Sequence, residues 1–100
     1  MNIERMQEIE GKLSISLKSI SANEDDGWMT VNGEINALNG ASIPGDVEVV
    51  VVAYDAKDEI IGTGSTAFYA DEFMGFDTFS ILIETHGRRS VRMRVYPRKG

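Results

Sequence analysis

One hundred residues, 42% apolar and 26% charged, make a chain of single-domain size that can bury a core without a metal or disulfide and is not composed like a disordered protein. The absence of cysteine excludes disulfide scaffolds, thiolate zinc sites and cysteine nucleophiles. A net charge of −6 opposes nucleic-acid binding, which needs a basic footprint, and no run approaches the stretch of about twenty apolar residues that crosses a bilayer.

The opening residues, Met1 to Gly11, are polar and acidic, where a secretory leader is cationic and then apolar. The chain as given therefore reads as cytoplasmic, and as extracytoplasmic if it is a fragment of a longer protein. Ile3, Met6 and Ile9 recur at a three-residue spacing before Gly11, so residues 1–11 are expected as a short N-terminal helix or a tail. Residues 12–97 are expected as one β-sandwich domain.

From Lys12 the period changes to two. Leu13, Ile15 and Leu17 alternate with Ser14, Ser16 and Lys18, a strand with one buried face. The run Asn23 to Gly27 is turn chemistry, and Met29, Val31, Gly33 and Ile35 then share one face of a second strand. Val47 to Tyr54 is apolar on both faces, as a central strand would be. Asp55 to Asp58 turns the chain into a strand over Glu59 to Phe68, where Gly62 and Gly64 mark a bulge or a close backbone approach. Phe76, Phe79, Ile81 and Ile83 define the next strand. Val91, Met93 and Val95 define the last, with Arg92 and Arg94 on its wet face and Pro97 as its end. The pattern predicts an all-β, immunoglobulin-like antiparallel sandwich of six to seven strands.

Within residues 31–83 the chain resembles the FxLYD family of small immunoglobulin-like domains. Val31 to Ile35 is similar to that family's first strand pattern, and Val51-Val52-Ala53-Tyr54-Asp55 stands where Phe-x-Leu-Tyr-Asp would, with Val51 for Phe and Ala53 for Leu. Gly75 and Phe79 are similar to its later Gly and Phe positions. The resemblance implies an accessory module with no established catalytic site, many members being extracytoplasmic. Tyr54-Asp55 through Ile60, Ile61 and Phe68 also resembles the sandwich of bacterial intracellular proteinase inhibitors, which implies protein binding. The residues themselves place the Tyr54 ring in the core and use Asp55 to accept hydrogen bonds from turn amides.

Little chemistry remains. His86, the only histidine, lies in a Thr85-His86-Gly87 turn without a nucleophile motif. Setting Gly27 at position six of a calcium loop puts Ala22 at position one, which excludes an EF-hand. Asp58–Glu59 and Asp71–Glu72 are sequence neighbours whose side chains diverge on extended backbone. No enzyme activity, metal or cofactor is implied. Three features remain as binding candidates. Tyr69, Phe73, Met74 and Phe76, rimmed by Asp71, Glu72 and Asp77, form an interaction patch for a protein partner or a second copy, or else fold back over the sandwich end and become buried. Trp28 is a core plug or a stacking platform for carbohydrate. Arg92 and Arg94 belong to an acid-free segment, residues 88–100, which is an anion surface or a basic strand beside acidic neighbours. The expected function is a non-catalytic interaction or accessory module, with carbohydrate or anion binding as the alternative.

Overall fold

The computed structural model describes residues 1–100. Seven strands and one short helix follow one another as β1 (Asn2–Arg5), α1 (Gln7–Lys12), β2 (Ile15–Asp25), β3 (Trp28–Ala37), β4 (Val47–Tyr54), β5 (Ile60–Phe68), β6 (Phe76–Glu84) and β7 (Arg92–Lys99). They build a β-sandwich of one four-stranded sheet, β1-β7-β4-β5, and one three-stranded sheet, β2-β3-β6.

The period-two pattern fills the space between the sheets. Met29, Val31 and Ile35 of β3 and Ile81 and Ile83 of β6 face Val49, Val51, Met93 and Val95 of β4 and β7, all buried. Each such aliphatic side chain contributes roughly 1.5–3 kcal/mol of burial. Gly33 lies opposite Phe79 in the β3–β6 ladder, and the Phe79 ring occupies the place where a β-carbon on Gly33 would stand. β4 is central, as its two apolar faces require, with β7 on one side and β5 on the other.

Both sides of the sandwich are closed. β5 and β6 belong to different sheets but meet at Gly62, where an added β-carbon would lie 2.6 Å from the Glu84 carbonyl oxygen, and at Gly64, where it would lie 2.7 Å from Ile81 Cγ2. The register also slips between Ala53 and Tyr54, so a bulge and a close approach coincide here. On the opposite side α1 packs against β2 and β7. Its buried Glu10 accepts hydrogen bonds from Arg5 Nη2 at 2.7 Å and from the Leu17 backbone N–H at 3.0 Å.

Three expectations are corrected. Residues 2–5 form a strand, parallel to β7, and the helix starts only at Gln7 and continues through Gly11. A chain that must cross from one sheet to the other reaches β2 through that helical turn, which leaves β1 free to lie parallel to β7. Pro97 does not end β7, which runs to Lys99. β1 covers only Arg92 to Val95, so beyond Val95 β7 is an edge strand, where proline is tolerated. The Tyr54 ring lies outside the core, beneath Arg92. Tyr54 ends β4 half a pleat after the buried Ala53 and points to the opposite face.

Candidate binding surface

The outer face of the four-stranded sheet is built by the even-numbered residues of β7. Cross-strand register sets Arg92 between Asn2 and Tyr54, Arg94 beside Glu4, and Arg98 beside Glu48. Arg92 donates to Glu4 at 2.8 Å and to Asp58 at 3.1 Å, Arg94 to Glu4 at 3.4 Å, and Arg98 to Glu48. The Arg92 guanidinium also lies 4.0 Å from the centroid of the Tyr54 ring, a cation–π contact. Hydrogen bonding by Arg92 holds the Glu4 carboxyl below its ordinary pKa, and Arg98 does the same to Glu48. Of the two readings of Arg92 and Arg94, these ion pairs match the basic strand beside acidic neighbours, and an incoming anion would have to displace the carboxylates that their donors already face.

The Tyr69 to Phe76 connection divides. Phe73 is buried, edge-on to Phe68 at 6.1 Å between centroids, and Phe68 is in turn edge-on to Phe79. Phe73 therefore leaves the interaction patch, since the connection folds back and uses it to cover the sandwich end. Tyr69 stays half exposed and lines a notch of about 180 Å³ with Glu72 and Asp77. Met74 is 86% exposed and Phe76 53%. The Ala37 backbone N–H donates to the Gly75 carbonyl at 2.9 Å, which extends the β3–β6 ladder past Asn36 and Phe76. Leu38 follows Ala37, and Met74 and Phe76 flank Gly75, so three exposed apolar residues stand at this end of the sheet, the apolar tip. Leu38 was not among the sequence candidates; it follows a strand and has no neighbouring aromatic to draw attention to it.

Trp28 is no core plug. It begins β3 with its side chain outward, 44% exposed, between Asp25 of β2 and Glu84 of β6. Asp26 and Gly27, both at positive φ, make the two-residue hairpin turn that delivers it there. From Trp28 the outer face of the three-stranded sheet runs through Thr30, Asn32, Glu34 and Asn36, flanked on β6 by exposed Leu82, Ser80 and Thr78. At its centre a shallow groove of about 490 Å³ is lined by Ser19, Asn32, Glu34, Thr78 and Ser80. Lys18 and Glu34 are opposite each other in register yet make no ion pair. Leu82 was not among the sequence candidates either, although the alternation of Phe79, Ile81 and Ile83 already puts it on the opposite face of β6.

The remaining polar groups serve the fold. Asp55 Oδ1 accepts from the Glu59 and Lys57 amides and Oδ2 from Arg88, and these bonds, the Glu59 amide first, lower its pKa. Glu24 accepts from the Ser90 amide at 2.9 Å. His86 is an exposed turn residue 3.9 Å from Glu84. The open concavity of about 640 Å³ at Arg5 to Ile9 is lined by one continuous bend of chain and brings no distant groups together. Strand edges are blunted: β1 is four residues long, β2 carries a bulge between Lys18 and Ser21, and β5 and β6 cover one another. Two exposed surfaces are left, the apolar tip and the outer face of the three-stranded sheet.

No family model, curated protein or solved structure matches the chain. No helix is long and apolar enough to cross a membrane.

Proposed function

We propose that this protein is a non-catalytic protein-interaction or accessory module, an immunoglobulin-like sandwich of the FxLYD type, that contacts its partner through the tip formed by Leu38, Met74 and Phe76. The observation that carries this reading is the joint exposure of three large apolar side chains on the residues that neighbour the Ala37–Gly75 backbone bond. A folded chain gains by covering such side chains, and the connection does cover Phe73 one residue away. Acidic neighbours, Asp71, Glu72 and Asp77, supply the polar rim that interfaces carry. The buried Val51 and the turn-capping Asp55 support the family resemblance.

The test is affinity capture from lysate with the wild-type chain and a Met74→Ser, Phe76→Ser variant, accompanied by sedimentation velocity of both. A partner, or a second copy, held by the wild type and lost by the variant is the expected result. Identical capture and identical sedimentation by the two chains would remove the tip from the account. A ligand-binding role is favoured by one further observation, the exposure of Trp28 on a polar sheet face.

A further inference from the structure

Resting on that ligand-binding reading, we infer that the outer face of the three-stranded sheet is a binding groove for a neutral oligosaccharide, stacked on Trp28 and hydrogen-bonded by Asn32, Thr78 and Ser80. Trp28 offers an apolar ring face with a single N–H at its edge, a fit to the C–H face of a sugar ring and one of its hydroxyls. Tryptophan is highly buried on average, whereas this one stands at the end of a strand with nearly half its surface in water.

The groove supplies the remaining chemistry. Asn32, Thr78 and Ser80 are exposed on neighbouring strands and their side chains make no hydrogen bond within the protein. An amide and two hydroxyls both donate and accept, which suits a polyol whose groups do the same. Trp28 and Asn32 are four residues apart on β3, about 13 Å along an extended strand. The ligand is therefore longer than one ring and lies along the strands.

Charge and layout decide the class. Asp25 and Glu84 flank Trp28 and Glu34 borders the groove, with Lys18 opposite Glu34; the cleft beside Trp28 adds Glu24 and Asp26 and two cations, Arg89 and the Asp55-paired Arg88, so acids outnumber cations on this face. That balance repels a polyanion and leaves a neutral chain as the occupant. Protein interfaces put apolar anchors at the centre and polar residues at the rim. Here the centre is polar, and the apolar residues, Trp28 and Leu82 against Phe76, stand at the two ends.

Trp28 is the only tryptophan, so its fluorescence reports on this face alone. The experiment titrates the full chain with cello-, malto-, manno-, xylo- and chito-oligosaccharides, and with heparin and polyglutamate as anionic probes. The expected result is a saturable emission change with at least one neutral sugar. Binding should be about three- to tenfold weaker in Asn32→Ala and in Ser80→Ala, the worth of one hydrogen bond, and unchanged in Met74→Ser, which lies outside the groove. Circular dichroism verifies that each variant is folded. Response to the anions alone would overturn the neutral-sugar assignment and leave ligand binding standing, whereas silence with every probe would overturn both. An emission shift that follows protein concentration alone would give the face to a second copy and overturn the sugar groove, as would sugar binding untouched by Asn32→Ala and Ser80→Ala.

Discussion

On the outer face of the four-stranded sheet the cations of β7 meet acids from β1, β4 and the β4–β5 turn. On that of the three-stranded sheet, Lys18 and Glu34 stand opposite without an ion pair, and Trp28, Phe76 and Leu82 face water. The first face is so well covered by its own side chains that Val50 and Val52, which point outward from β4, are nearly as buried as core residues. The two faces share a pleat and a chain but differ in what their side chains satisfy. One is completed by folding, and the other leaves its hydroxyls, amides and apolar rings available to another molecule.

The comparison depends on the sandwich being held shut at its two sides, and the largest effects are expected there. Glu10→Ala removes the buried carboxylate that joins Arg5 to the Leu17 amide. It should destabilise the fold by about 2–3 kcal/mol in urea denaturation, because the amide and the guanidinium lose their acceptor together. Gly62→Ala sets a β-carbon against the Glu84 carbonyl oxygen, a backbone atom that does not swing aside. A loss of about 1–3 kcal/mol is expected from that overpacking, again read by urea. A neutral outcome for both substitutions would mean that the faces are held by the core alone.

Acid sharpens the contrast further. Glu4 and Glu48, on the four-stranded face, have native pKa values below their ordinary ones because of Arg92 and Arg98. Above the ordinary carboxylate range, near pH 4, the unfolded chain releases the same protons as the native one, and their stabilisation is fully present. As pH falls through the lowered native values the unfolded state takes up protons first and that stabilisation is lost. The wild type should therefore be more stable than a Glu4→Gln, Glu48→Gln variant at neutral pH, with the gap between their urea midpoints narrowing as pH falls below about 4. A gap that holds constant with pH would show that these ion pairs do not contribute.

The core was legible because alternation over Met29 to Ile35 and over Met93 to Val95 is unambiguous once one face is buried, although Val91, read with the last strand, is exposed and precedes β7. Val47 to Tyr54 could likewise only be central. What escaped was decided by tertiary context. Asn2 to Arg5 is too short to show a period, and its apolar spacing with Met6 and Ile9 imitates a helix. Pro97 ends strands in general, but β7 has lost its β1 neighbour by that point. Tyr54 and Trp28 stand at strand ends, where a displacement of one residue exchanges core for solvent. In the Tyr69 to Phe76 connection no local rule separates buried Phe73 from exposed Met74. Only the Phe68 and Phe79 rings, brought together by the fold, select Phe73.

The smallest effect on stability is expected where the effect on binding is largest, and a paired urea denaturation tests this most directly. Trp28→Ser, Phe76→Ser on the three-stranded face should leave the unfolding free energy within about 0.5 kcal/mol of wild type, as for surface positions without structural partners. Arg92→Ser, Arg94→Ser on the four-stranded face should lower the midpoint clearly more, since it strips Glu4, Asp58 and Tyr54 of their partners. If the Trp28 and Phe76 pair proved the more costly, the three-stranded face would be structural, and the division between a completed and an available face would be contradicted.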